Sequence, residues 1–147
     1  MKRILLFIIP VLIFITGCKV EPKPIDYGKD TCHFCKMNIV DKTHAAEIVT
    51  KKGKAFKYDA IECMIKDLKK RNSSEVALFL VNDYSDPGAL IDATEATFLI
   101  SPAIKSPMGA NLSAFSKKDE AEKHVKTSED NIYSWDKIKQ QEFKHFK

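Results

Sequence analysis

Cys32-His33-Phe34-Cys35-Lys36-Met37 is the densest run of soft and borderline metal ligands in the chain. Two thiols three positions apart can reach one centre, and a thioether two positions further can complete it. Thiolate and thioether together favour Cu(I), a soft monovalent ion that accepts few ligands. Zinc prefers four cysteine or histidine ligands, usually supplied as two pairs, and a second cysteine pair is missing. Haem attachment needs histidine directly after the second cysteine, where Lys36 stands. Two other uses of the pair stay open: a thiol–disulfide redox couple, or a Cys32–Cys35 disulfide that staples the N-terminal segment. The residues after Cys35 weaken the redox use. The chain runs through a polar loop toward a hairpin, not into a helix whose N-terminus would activate a thiol.

Outside this run, Met108 sits between Pro107 and Gly109, a loop context that gives a methionine little reason to be core. Cys63 falls off the apolar stripe of its helix by helical geometry. It is an inert buried thiol, a partner of Cys32, or a further metal ligand. His33 and His44 are borderline ligands close to the run, though surface histidines are commoner. No G-x-S-x-G, phosphate loop or H-E-x-x-H is present, and nothing in the motifs suggests an enzyme.

The N-terminus sets the compartment. Lys2 and Arg3 precede an apolar run from Ile4 to Ile15, shorter than the ~20 residues that cross a bilayer as a helix. The run Phe14-Ile15-Thr16-Gly17-Cys18 resembles a bacterial lipobox, which implies cleavage before Cys18 and lipidation of its thiol. Residues 1–17 are therefore expected to be a signal peptide and 18–30 a tether, with two prolines and no apolar periodicity. The folded part then faces the periplasm as a membrane-anchored lipoprotein of the cell envelope. Losing Lys2 and Arg3 from 24 basic residues leaves a net charge of +2, too small to argue for nucleic acid or a polybasic membrane contact. Three cysteines remain, an odd number for a disulfide framework.

The elements that must hold these residues read as α+β. Ala45–Thr50 and Lys54–Tyr58 are two strands joined by Lys51-Lys52-Gly53. Asp59 and Glu62 form a capping-box pair for a helix to about Arg71, with Ile61, Met64, Ile65 and Leu68 on one stripe. Val76–Val81 is an apolar strand. Asp83–Gly88 is a turn-rich connector, and the order then repeats. A strand over Ala96–Ile100 and another near Leu112–Phe115 flank the loop with Met108. Ser116 and Asp119 signal a helix to about Val125, and Ile132–Trp135 closes the set. The expectation is two strand-strand-helix-strand modules in tandem, 31–82 and 83–135, packed together, with a tail over 136–147. Phe98, Phe115 and Trp135 read as core aromatics.

In this order, C-x-x-C-x-M after a lipobox, then Tyr58-Asp59-Ala60-Ile61-Glu62-Cys63-Met64, then Ser106-Pro107-Met108-Gly109 and Ala114-Phe115, the chain resembles the NosL family of nitrous oxide reductase accessory lipoproteins. The resemblance implies a copper(I) chaperone that supplies the copper centres of nitrous oxide reductase, with that enzyme or its assembly machinery as partner. It also implies that Cys35 and Met37 are a ligand pair, that Met108 is a further ligand, and that Cys32 matches the first cysteine of the motif. Lys36 stands where a glycine is familiar in the family.

Overall fold

The computed structural model describes residues 19–143, so the signal peptide, Cys18 and its lipidation lie outside the described residues. Strands β1 (Ala46–Thr50) and β2 (Ala55–Tyr58) form a hairpin through a turn that closes with Gly53 N–H on the Thr50 carbonyl at 2.8 Å. Gly53 has φ 77°, the left-handed region that glycine enters without steric cost. Helix α1 (Ile61–Leu68) follows, then β3 (Val76–Asp83), which pairs antiparallel with the other side of β1. Val49, Ile48 and Ala46 on β1 are all buried, as a β-branched central strand covered on both faces requires.

The first sheet has one strand more than the sequence pattern suggested. The stretch read as a connector is a tight hairpin: β3 runs on to Asp83, and β4 (Asp86–Asp92) returns beside it, giving the order β2-β1-β3-β4. Pro87 and Gly88 hid it, because both are poor strand formers. They are tolerated here because β4 is an edge strand whose first half is exposed.

The second sheet holds β5 (Thr97–Ile100), β6 (Leu112–Phe115) and β7 (Asn131–Tyr133) in the order β6-β5-β7, with helix α2 (Lys118–Lys123) between β6 and β7. Strand-strand-helix-strand thus occurs twice with the same antiparallel pairing, β2-β1-β3 and β6-β5-β7. Trp135 does not end the last strand as expected; it opens a short helix, α3 (Trp135–Ile138). Its ring lies between Phe79 of β3 and Phe98 of β5, at centroid distances of 5.5 and 5.9 Å, and so joins the two sheets. The Tyr84 amide on the Ala114 carbonyl at 2.8 Å, and the His44 Nε2–Ser113 Oγ bond at 3.1 Å, add polar links between the halves.

The segment read as a free tether is laid on the first sheet from Lys23 onward. The Lys23 amide donates to the buried Glu47 carboxylate at 2.7 Å, and Lys57 Nζ donates to the Pro24 carbonyl and to Asp30, both at 2.6 Å. Ile25 joins the core, and Tyr27 Oη bonds Asn82 Oδ1 at 3.1 Å. Among the described residues no helix is long and apolar enough to cross a membrane.

Candidate metal centre

The Cys32–Met37 run folds as a tight loop closed at its base. Thr31 and Asn38 form an isolated bridge, and the Cys32 amide donates to the Met37 carbonyl at 2.8 Å. The His33 amide donates to the Lys57 carbonyl at 2.8 Å, which fastens the loop to the end of β2. Lys36 has φ 67°. That conformation costs a residue with a Cβ roughly 1–2 kcal/mol, a cost that a glycine would not carry. Lys36 Nζ reaches the His33 carbonyl across the turn.

The loop sets Cys32 and Cys35 against the junction between β2 and α1. There Asp59, just after β2, and Cys63, in the first turn of α1, complete a group. One ligand atom from each of Cys32, Cys35, Asp59 and Cys63 lies within 4.8 Å of the others. Cys32, Asp59 and Cys63 are buried, Cys35 is half-buried, and all three thiols are free of disulfides. The pairing of Cys32 with Cys35 or Cys63 left open by the sequence is thus a set of reduced thiols in this structure.

The three sulfurs differ in charge preference. The Cys63 thiol donates a hydrogen bond to the Cys32 sulfur, and the Cys35 and Asp59 backbone amides add two more. Together they overcome burial and bring Cys32 down to about 6, so it is the thiolate of the group. Burial pushes Cys35 up to about 12, reinforced by its own donation to Asp59 and by the neighbouring Cys32 charge. Its Sγ–H bonds Asp59 Oδ1 at 3.2 Å. Cys63 is also raised, because it serves as the donor to Cys32 and is buried. The group therefore presents one ready thiolate and two thiols that must shed protons on binding a metal. Asp59 already holds the hydrogen bond of one of those protons.

Asp59 is the residue that sequence reasoning assigned to a different task. Asp59 and Glu62 read as a helix cap, yet Ala60 occupies the N-cap position and no side chain caps the helix. Asp59 is turned to Cys35 instead. Glu62 is buried and accepts from Ser106 Oγ at 2.9 Å and from the Ala110 amide at 3.2 Å. Burial pushes its carboxyl up. A cap signal is local, whereas both recruiting partners arrive from distant segments, so only the assembled fold reveals the change of role.

The remaining candidates separate clearly. Met37 directs an exposed side chain (53% accessible) from the loop into solvent. Met108 is partly buried and packs on the same core cluster as Cys35. His33 is outside the four-residue group; its ring stands edge-on to Phe56 at 4.6 Å, and burial lowers its pKa. His44 is buried between Asp41 and Ser113, at 3.0 and 3.1 Å, and serves the contact between the halves. An open hollow of about 460 Å³ lined by Thr31, Cys32, His33, Lys36, Phe56 and Lys57 connects the cysteine loop with solvent.

Fold and site together define a class: an α+β protein of two antiparallel sheets that gathers three thiols and a carboxylate, a donor set suited to a thiophilic metal ion. The NosL family profile matches residues 24–143, and the chain belongs to that family. The copper-binding lipoprotein NosL of Stutzerimonas stutzeri is 29% identical over 123 residues, covering 73% of this chain. The chain spans 64% of that relative's length. The crystal structure of the copper chaperone NosL from Shewanella denitrificans superposes with a TM-score of 0.72 at 24% identity, covering 83% of this chain and 98% of that one. It supports the two-sheet fold.

Proposed function

We propose that this chain is a copper carrier, not an enzyme, that binds Cu(I) through Cys32, Cys35, Met37 and Met108 and delivers it for assembly of the copper centres of nitrous oxide reductase. The observation that carries the proposal is the preorganised group of three thiols and a carboxylate, with ligand atoms within 4.8 Å of one another, in a chain of the NosL family. Cys35, the half-buried thiol of the group, is the one open to an incoming ion, and the Cys32 thiolate stands behind it. As Cys35 sulfur binds, its proton passes to Asp59, to which it is already bonded. The same proton, returned to Cys35, weakens the metal–sulfur bond and favours release. Met37, exposed at the edge, can join or leave without disturbing the core, which suits ligand-by-ligand exchange with a partner approaching through the lysine-lined hollow. A lipid on Cys18 would keep carrier and recipient in one thin layer facing the periplasm, which raises their effective concentration.

Three thiols and a carboxylate also make a tetrahedral set for zinc, a reading favoured by the inclusion of Cys63 and Asp59. Titrating the reduced chain from Lys19 onward with Cu(I) and with Zn(II), beside Cys35→Ser and Met108→Ala, decides between them. The carrier requires tight Cu(I) binding that is lost in Cys35→Ser and weakened in Met108→Ala. Preference for Zn(II), or loss of Cu(I) to a moderate chelator, would overturn it. In the second case the cysteines should be tested for disulfide exchange.

A further inference from the structure

Met108 stands on the long connection between β5 and β6, while the cysteines belong to the first half of the chain. Any shared site therefore needs the connection to be held at a fixed height against α1. The only fully buried carboxylate on α1 is at that contact. Glu62 has no exposed surface, and its Oε1 accepts both Ser106 Oγ at 2.9 Å and the Ala110 amide at 3.2 Å, the two residues that bracket Pro107-Met108-Gly109. Ser106 passes the restraint on: its Oγ takes the Asn111 amide at 2.9 Å, and its carbonyl takes the Gly109 amide at 3.0 Å. Three bonds thus tie the turn to one carboxylate and one hydroxyl, and a fourth closes it on the Ser106 carbonyl. Gly109, at φ 75°, takes the left-handed region without steric cost, whereas Asn111, at the exit with φ 55°, carries a Cβ in that conformation. The second carboxylate oxygen of Glu62 is buried without a hydrogen-bond partner. A buried carboxyl left half-satisfied is costly, and apolar packing would fill the same space more cheaply.

Glu62 is also the chain neighbour of Cys63. Successive side chains on a helix diverge by about 100°, so one turn of α1 serves two partners: Cys63 faces the cysteine loop and Glu62 faces the methionine turn. We propose that Glu62 is the positioning residue of the thioether side of the copper site, latching the Pro107-Met108-Gly109 turn to the helix that carries Cys63. This rests on Met108 being a copper ligand. It adds that a buried carboxylate in the first half of the chain, remote in sequence from Met108, decides whether that ligand is available.

The test uses the full chain, processed in a bacterial envelope, purified and kept reduced, as wild type and as Met108→Ala, Glu62→Ala, Glu62→Gln, Ser106→Ala and Glu62→Ala/Met108→Ala. Two readouts are needed: amide hydrogen exchange over 106–111 without metal, and Cu(I) affinity with the copper–sulfur count from X-ray absorption. Glu62→Ala and Ser106→Ala should speed exchange of the turn. They should also weaken Cu(I) binding roughly ten-fold, the equivalent of one charge-assisted hydrogen bond, with loss of one sulfur. The double variant should bind no more weakly than Met108→Ala alone. Glu62→Gln keeps an acceptor oxygen and should restore both readouts. Faster exchange with unchanged sulfur count and affinity overturns the latch while leaving Met108 a ligand, as does full additivity in the double variant. If Met108→Ala itself leaves copper binding untouched, the ligand assignment falls and the latch role falls with it. Should Glu62→Ala fail to fold, Ser106→Ala and Glu62→Gln carry the same comparison from the other end of the bond.

Discussion

The two halves share a strand-strand-helix-strand order, to which the first adds the edge strand β4, and around the candidate site they diverge at two places. In the first, the strand-to-helix junction reads Tyr58-Asp59-Ala60 and opens onto Cys63; in the second, it reads Phe115-Ser116-Lys117 and opens onto Lys118 and Asp119. Helix α1 buries six of its eight residues because segments press on it from several sides, whereas α2 buries only Ala121. The hairpin turns differ in the opposite sense. The first half uses four residues, Lys51-Lys52-Gly53-Lys54, while the second uses the whole stretch between Ile100 and Leu112, including Met108. Apart from the extra strand β4, each half therefore departs from the shared plan at one point, and both of these departures meet at α1. A repeated scaffold acquires a site here by changing a junction in one copy and lengthening a turn in the other, with the three shared strands of each half left alone.

The widest consequence of this arrangement is that neither half should be stable by itself. Trp135 fills the space between Phe79 and Phe98, one from each sheet. Trp135→Ala should cost about 3–5 kcal/mol and still unfold in a single transition, measured by denaturant melts followed with two probes. Separate transitions for the two sheets would break the picture of halves that depend on each other.

At the junctions, the asymmetry should be nearly complete. Asp59→Ala removes the acceptor of the Cys35 thiol and should weaken Cu(I) binding by about 10–100-fold, as the loss of a group that orients a ligand does. Ser116→Ala, at the matching point of the second half, should leave affinity within error. Equal losses in a chelator competition would mean that the metal is not confined to the first junction.

A smaller effect comes from pH. Because Cys32 is depressed to about 6 in the fold against about 9 unfolded, its contribution to stability is complete above pH 9. That contribution fades as pH falls toward 6, at up to about 1.4 kcal/mol per pH unit. Cys35, raised to about 12, acts with the opposite sign and removes stability as pH climbs above 9. Stability of the metal-free, reduced chain minus that of Cys32→Ser should therefore rise between pH 6 and 9. Thiolate absorbance near 240 nm should show a midpoint of about 6 that vanishes in Cys32→Ser. A flat difference curve would place the thiolate elsewhere in the group.

The smallest expected change is at the loop itself. Lys36→Gly relieves a left-handed lysine and should raise stability by at most about 1 kcal/mol, seen as a melting temperature higher by a few degrees, with copper binding preserved. A fall in melting temperature would show that the Lys36 bond to the His33 carbonyl outweighs the backbone strain.

Much of this protein is written in short-range pattern. The buried central strand β1, the stripe of Ile61, Met64 and Ile65, the apolar run of β3 and the aromatic cores around Phe98 and Phe115 come from burying the apolar side chains of each element. The sequence by itself also named Cys32 and Cys35 as neighbours able to meet one metal, because their spacing lies within a single turn of chain. Three decisions were left to the tertiary structure. The edge strand β4 forms because β3 offers it a ladder, although Pro87 and Gly88 argue against a strand. Cys63 joins the thiols because the loop docks on β2 next to the start of α1. Asp59 and Glu62 give up a helix cap for partners many residues away. The physical reason is common to all three. Local propensities differ by about 1 kcal/mol or less, whereas a buried polar group without a partner costs about 1–3 kcal/mol, so the long-range contact decides what each side chain does.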